Sequence, residues 1–483
     1  MAAFLEIARN NAALVAVLAP FIGAALAALA PAGRLACVVA MIAATIAAVA
    51  ACDLAARALT MAAPPPIAES GLALRLDGVG AFIGALVAAL GALIAWASPA
   101  FVTRTPQAPY AIALFLLALT GWIASAYAGD LVTLHLAFAL ASVATVAAAA
   151  LGAERDRAAL SASLRLLIAA GVAGAVFTIG VALIARAGGG ASFANLAHAQ
   201  LTAPGAGGVG YGLAFGALAM MAGVAPLNLW TAAFYGRGAA LAVAAFGALG
   251  VAALLGALTR LAAYAVVAPA LGEGVSRALL ALGLASVAIG SVQAVGARDL
   301  RRLAAYAAAA QAGCVLIAVA MGSPAGFAAA LVQIFALAIA ALALTIAAPP
   351  HGALEALDGL GRRAPFASLA LTAGALSLMG APLTLGFLGR WRLIEAGVGG
   401  GWWWAAGAVI FASLSAVFYG GRLIERIYFR RASVAHERVH EPWRVFLAPA
   451  LVVAFAGVLM GADPSMLLRA ADNASRFLTG AAP

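Results

Sequence analysis

Apolar runs long enough to cross a bilayer follow one another along the whole chain, separated by short gaps. A helix of about 18 or more apolar residues spans a hydrocarbon layer of about 30 Å and satisfies its own backbone polar groups where no water can. Reading the runs against Pro, Gly and charge gives about fourteen spans. They fall near 12–30, 35–56, 78–98, 109–128, 131–151, 162–186, 211–235, 239–268, 278–296, 300–321, 325–347, 366–397, 402–428 and 444–462. The longest gaps are 57–75, with Pro64, Pro65 and Pro66, and the Gly-rich 187–210; neither houses a soluble catalytic domain. The expectation is an all-α integral membrane protein. Only 9% of residues are charged, against about a quarter in a chain that covers itself with a water-facing surface.

The net charge of +10 is distributed as a membrane topology would place it, which argues against a nucleic-acid partner. There is no lysine, and all 27 basic residues are arginine, most of them in the gaps. With the N-terminus outside, the cytoplasmic loops and their helix ends hold sixteen: Arg34, Arg104, Arg155, Arg157, Arg237, Arg298, Arg301, Arg302, Arg362, Arg363, Arg422, Arg426, Arg430, Arg431, Arg438 and Arg444. The outer loops hold four, Arg57, Arg75, Arg186 and Arg277. That bias predicts a multi-pass chain of a bacterial inner membrane with both termini periplasmic. Arg9 and the run Ala12 to Ala28 loosely resemble a signal peptide, but Glu6 and the length of the run favour an uncleaved first helix. Cys37, Cys52 and Cys314 lie in or beside apolar segments without metal-ligand spacing and read as small buried hydrophobes.

The chain repeats itself. Gly216-Ala217-Leu218, Met221 and Ala225-Pro226-Leu227 recur as Gly374-Ala375-Leu376, Met379 and Ala381-Pro382-Leu383. Each copy is followed by an aromatic-rich turn and a helix that ends in an arginine, Arg260 or Arg422. The offset of 156 to 162 residues corresponds to about five helices, so the two copies would cross the membrane in opposite senses. Pro226 and Pro382 would interrupt their helices near mid-membrane, where a break survives only if protein or trapped water satisfies the freed backbone. The expected organisation is 1–108 for three N-terminal helices and 109–268 and 269–428 for two inverted five-helix repeats. Residues 429–483 form a C-terminal loop and last helix.

Four stretches carry a family resemblance. They are Ala128-Gly129-Asp130-Leu131-Val132-Thr133-Leu134, Pro226-Leu227-Asn228-Leu229-Trp230, Arg298-Asp299-Leu300-Arg301-Arg302-Leu303-Ala304-Ala305-Tyr306, and the run from Ser377 through Ala381-Pro382-Leu383 to Arg390-Trp391. Together they resemble the proton-conducting antiporter-like subunits of respiratory complex I, multisubunit Na+/H+ antiporters and membrane-bound hydrogenases. The last is most similar to the N-type complex I subunit and the antiporter D subunit. The resemblance implies fourteen helices, two inverted repeats each with a broken helix, other membrane subunits as partners, and a buried file of glutamate, lysine and histidine that relays protons. Lysine suits that role because burial lowers its pKa into range, whereas arginine stays charged.

The sequence departs from that pattern. The fifth-helix glutamate falls on Ala139, the seventh-helix lysine on Met221 and the eighth-helix lysine on Val251. The tenth-helix histidine becomes Gln311, and the sixth- and twelfth-helix lysines become Arg165 and Arg390. Arg165 and Arg390 read either as fixed charges beside a water path or as snorkelling or paired arginines. Glu395 is three residues from Arg392 and five from Arg390, so it faces Arg392 on a regular helix. Asp130 reads as a carboxylate of the path or as an N-cap, and His135 as a substitute relay or a structural side chain. Asp299 reads as part of a loop charge cluster with Arg298, Arg301 and Arg302. His351, His436 and His440 lack partners at metal spacing, and no phosphate loop, CxxC pair or catalytic triad is legible, so no metal, cofactor or catalytic site is expected in this chain. Three functions remain: a scaffolding or coupling subunit of a complex I-like or cation/proton antiporter assembly, an active H+ or Na+ translocator rewired through Asp130, His135, Arg165, Gln311 and Glu395, and a stand-alone solute transporter.

Overall fold

The computed structural model describes residues 11–60, 74–102, 106–151, 156–188, 190–198, 204–267, 271–348, 352–431 and 444–479. Glu6, Arg9, Pro64, Pro65, Pro66, Arg104, Arg155, His351, His436, Arg438 and His440 lie outside the described residues. The main helices are α1 (Ala12–Ala28), α2 (Gly33–Thr60), α3 (Gly78–Ala97), α4 (Ala108–Ala126), α5 (Leu131–Leu151) and α6 (Arg157–Gly188). Next come two pieces, α7a (Pro204–Met221) and α7b (Thr231–Arg237), then α8 (Ala240–Val266), α9 (Gly272–Gly296), α10 (Leu300–Ala320) and α11 (Pro324–Ile346). A second pair of pieces, α12a (Pro365–Met379) and α12b (Leu385–Gly399), precedes α13 (Trp403–Tyr428), α14 (Arg444–Ala462) and α15 (Ser465–Thr479).

Among the described residues, 10 helices are long and apolar enough to cross a membrane. The α14–α15 pair is one further candidate, bent by 81°, and α1, α7a and α12a are shorter apolar helices. The chain is a multi-pass, all-helical membrane protein. Several helices begin before the apolar run that announced them: α6 at Arg157, α7a at Pro204 and α9 at Gly272. Hydropathy marks the part of a helix that meets lipid, while the first polar turn, such as Glu273 and Arg277 of α9, remains helical outside it.

The caps are chemical. Asp77 starts α3 by accepting the Gly80 N–H at 2.7 Å, Ser323 starts α11 ahead of Pro324, and Thr384 starts α12b. Each satisfies a backbone donor that the helix itself leaves free. The most apolar windows of α8, α10 and α11 are 100%, 94% and 94% buried, whereas those of α6 and α13 are 33% buried. The first three form the core; the last two turn leucines, valines and phenylalanines outward, as lipid contact requires. Where α9 meets α10, a Cβ on Gly283 would stand 2.9 Å from the Gly313 carbonyl oxygen, and one on Gly313 would stand 2.6 Å from the Gly283 oxygen. Only hydrogen at both positions allows these backbones to approach so closely.

The sequence reading had no helix after α14. α15 is strongly amphipathic: Leu467, Ala471, Ala474 and Leu478 are buried against α11 and α3. Asn473 Nδ2 also donates to the Leu59 carbonyl at 2.7 Å, tying α15 to the end of α2. Such a helix shows a 3.6-residue period and no apolar run, so a search for spans passes over it.

Candidate ion path: the broken helices and the buried charges

Both repeated prolines lie where a helix is interrupted. Between α7a and α7b, residues 222–230 leave the helical path, and α9 satisfies the exposed backbone. The Ala225 N–H donates to Ser286 Oγ at 2.9 Å, and that hydroxyl donates onward to the Ala309 carbonyl of α10 at 2.7 Å. Asn228 Nδ2 donates to Gln293 Oε1 at 2.9 Å. At the second break, α12a ends at Gly380 in the left-handed region, φ 73°. The Arg390 guanidinium reaches back from α12b and donates to the Leu378 and Met379 carbonyls. A Cβ on Gly380 would collide with Arg390 Nη1, so glycine serves both the turn and the passage of the side chain.

Arg390 is 4% exposed, and no carboxylate among the described residues forms an ion pair with it. The ionisable groups that act on it are Tyr419 of α13 and Cys314 of α10. Beside them, Gln333 Nε2 donates to Gln311 Oε1 at 2.7 Å across the α10–α11 interface.

Sequence reasoning missed a second buried charge site. Arg260 of α8 is 2% exposed, and its Nε lies 2.5 Å from Asp77 Oδ2. Its Nη1 donates to the Ala128 carbonyl at 2.6 Å, and its guanidinium carbon stands 4.2 Å from the centroid of the Phe193 ring. One side chain therefore joins the start of α3, the approach to α5, the segment after α6, and α8. The matching arginine of the second copy, Arg422, donates to the Ala297 carbonyl at 2.7 Å.

The surroundings match as well. Asp130 caps α5 through the Thr133 N–H at 2.6 Å, and Asp299 caps α10 through the Arg301 and Arg302 N–H groups at 3.0 and 3.1 Å. Leu131 N–H donates to the Ala191 carbonyl and Leu300 N–H to the Gly352 carbonyl. Phe193 N–H donates to the Gly129 carbonyl and Leu354 N–H to the Arg298 carbonyl. The same hydrogen-bond set occurs twice. Asp299 is thus the N-cap of α10, and its carboxylate also acts on the Arg301 side chain of the loop cluster.

The six candidate residues are scattered. Asp130 is spent on its cap. His135, half-buried, stacks on Phe177 with centroids 5.8 Å apart, and its Nε2 lies 3.4 Å from the Thr178 hydroxyl. Arg165 is exposed on α6. That helix has 32 residues, or about 48 Å at 1.5 Å per residue, longer than a hydrocarbon layer of about 30 Å is thick. Arg165 stands about 12 Å from the α6 start. Gln311 and Arg390 occupy the polar cluster just described. Glu395 is exposed and pairs with Arg392 at 3.3 Å, as its spacing implied, while Arg392 also pairs with Asp472 of α15. No hydrogen bond or ion pair among the described residues joins any two of the six.

Comparison with known proteins now bears on what these breaks belong to. The family described as "NADH:quinone oxidoreductase/Mrp antiporter, TM" matches residues 128–415, a range that holds both breaks. The chain belongs to this family. Within it, the chain is similar to F(420)H(2) dehydrogenase subunit N of Methanosarcina mazei, 28% identical over 423 residues, 84% of this chain and 85% of that protein. It is 31% identical over 401 residues to NADH-quinone oxidoreductase subunit N 1 of Symbiobacterium thermophilum, 76% of this chain and 79% of that one. It shares its fold with a chain of the membrane-bound sulfane sulfur reductase, an archaeal respiratory membrane complex, at TM-score 0.86 and 24% identity over 97% of both chains.

Met221 and Val251, two positions at which the resemblance would place relay lysines, lie in the protein interior, whereas Ala139 is half-exposed. Met221 and Val251 are 0% and 2% exposed. Rings pack together in this half: Trp122, Trp230 and Phe234 meet Phe246 edge to face at centroid distances of 5.7, 5.2 and 5.7 Å. Phe138 meets Trp122 at 6.3 Å. Phe246 opens the π-helical turn Phe246–Gly250 that leads directly into Val251, and a Cβ on Gly250 would stand 3.1 Å from Trp122 Cζ2.

Proposed function

We propose that this chain is an antiporter-like membrane subunit of a multisubunit complex of the complex I-related or Mrp type, and that it serves as scaffold and coupling element without conducting protons through its own relay. One observation carries the reading: Met221 and Val251, where the resemblance expects lysines, are buried apolar side chains in a half of the chain packed with aromatic rings, which neither bind nor release a proton. In the second half the Arg390 guanidinium is anchored to two carbonyls, and arginine holds its proton too tightly to relay it. We further read the long helices, the bent pair and the three shorter apolar helices as about fourteen spans, with 109–268 and 269–428 as inverted repeats and both termini outside. The doubled hydrogen-bond set supports that reading.

A rewired translocator is the second reading, and His135 favours it: the ring is half-buried and its Nδ1 has no partner. The test replaces Asp130→Asn, His135→Gln and Glu395→Gln together, then measures ions moved per turnover by the assembled complex in sealed vesicles. An unchanged ratio agrees with the scaffold; a collapsed ratio with normal assembly would sink it.

A further inference from the structure

Arg260 and Arg422 hold matching carbonyls in the two copies of the repeat, Ala128 and Ala297, but only the first is covered from outside its own copy. α3 begins at Asp77, whose Oδ2 lies 2.5 Å from Arg260 Nε. It then runs antiparallel to α8, so that a Cβ on Gly256 would stand 2.7 Å from Ile83 Cγ1. Ahead of the cap, the Arg75 N–H donates to the Tyr127 carbonyl at 2.8 Å. The segment that closes the first copy therefore has a short non-helical stretch, a carboxylate cap and a helix, in that order.

The second copy presents the same places uncovered. Among the described residues no carboxylate pairs with Arg422, and its Nε is buried with no hydrogen-bond partner. The charge that acts on it belongs to Arg426, a second cation, which Asp358 already holds at 3.0 Å. Gly296 precedes Ala297 as Tyr127 precedes Ala128; it is exposed, and a Cβ there would meet nothing within 4 Å. Phe418 stands four residues before Arg422, as Gly256 does before Arg260, and it is 71% exposed. Leu414 and Val417 are exposed as well, whereas Ala252 and Leu255 at the same spacing from Arg260 are buried. α8 packs on α3 and α11 in addition to its own copy, while α13 packs on α9, α10, α12a and α12b, all of its own copy. Lipid tails suit Leu414 and Phe418, but they bring no counter-charge to a half-buried guanidinium.

We propose that α13 is the docking face for a membrane helix of another subunit, one that starts with an aspartate or glutamate level with Arg422 and runs antiparallel to α13 over Phe418 and Leu414. Its carboxylate pairs with Arg422 as Asp77 pairs with Arg260, so the guanidinium is neutralised inside the assembly. The open side of Gly296 leaves room for the few residues that precede the cap. The inference rests on the multisubunit reading above and adds where a neighbour sits and what chemistry it brings.

The experiment uses the intact complex, purified into lipid nanodiscs, with a benzophenone amino acid in place of Phe418. On illumination, position 418 couples to one accompanying subunit, and mass spectrometry of the adduct reads a membrane helix with Asp or Glu in its first turn. Arg422→Gln releases that subunit at least about ten-fold faster on dilution into detergent, as the loss of one member of a buried charge pair requires. If Arg422→Gln does not assemble, the adduct at position 418 decides. Adducts to lipid alone, or to a second copy of this chain, overturn the proposal. So does a coupled helix without a carboxylate in its first turn, or a release rate that Arg422→Gln leaves unchanged. Those outcomes leave the multisubunit reading standing; a chain that purifies with no other subunit overturns both.

Discussion

The pair of Asp77 and Arg260 allows a test in which cap and charge come apart. Asp77→Asn keeps an Oδ1 to accept the Gly80 N–H, so the cap contribution of about 1 kcal/mol is retained. What is lost is the negative charge beside Arg260 Nε. Removing one member of a buried pair costs about 3–5 kcal/mol, since the other charge is left uncompensated. Arg260 still has the Ala128 carbonyl and the Phe193 ring. A desolvated cation–π contact is worth up to about 2 kcal/mol, so the lower end, about 3 kcal/mol, is expected. Arg260→Met leaves Asp77 as the orphan and costs a similar amount, plus the donor to Ala128. In the double variant neither charge remains, and the two losses should fall short of their sum by about 2 kcal/mol or more. The assay is equilibrium unfolding of the purified chain in mixed micelles, followed by far-ultraviolet circular dichroism across a denaturant series. Additive losses within about 0.5 kcal/mol would refute the claim that the two charges hold each other.

Gly380→Ala should lose about 1–2 kcal/mol from the left-handed backbone alone, and more from the collision with Arg390. Pairing it with Arg390→Ala in the same denaturant series returns only the second part. Ser286→Ala removes both the acceptor for Ala225 and the donor to Ala309. It should destabilise by about 1–3 kcal/mol and speed amide exchange at Ala225 specifically, read by exchange mass spectrometry. Arg165→Leu, by contrast, should leave stability within about 0.5 kcal/mol, as for other outward-facing positions, if the snorkelling geometry is right. Asn473→Ala removes a bond of about 1 kcal/mol, and α15 amides should then exchange about five-fold faster while those of α14 do not change.

The spans were legible because lipid imposes one demand, apolar length, and the sequence meets it openly. The interruptions at Pro226 and Pro382 were legible because the same words recur around them. Pairs close in sequence followed from helical spacing, as Glu395 with Arg392 shows. The Asp77–Arg260 contact was not legible: each residue sits at or near the end of an apolar run, where a cap or a loop charge is the ordinary explanation. Nothing in either run names a partner on a distant helix. Arg165 looked interior because it falls inside an apolar run, but α6 is much longer than the hydrocarbon is thick. α15 escaped because its signal is periodicity, and the capping role of Asp299 was passed over because Arg301 and Arg302, whose N–H groups it accepts, also carry the charges that mark a loop cluster.

The edge-to-face rings around Phe246 also limit how the chain can change. An ammonium placed at position 251, 2% exposed and directly after the π-helical turn, would be buried in an apolar helix. A single charged substitution there loses stability, because a ring must be cleared before the charge is tolerated and clearing it opens a void. The present packing therefore acts as a one-way step: charges can be traded for rings one residue at a time, while the reverse exchange requires several substitutions together.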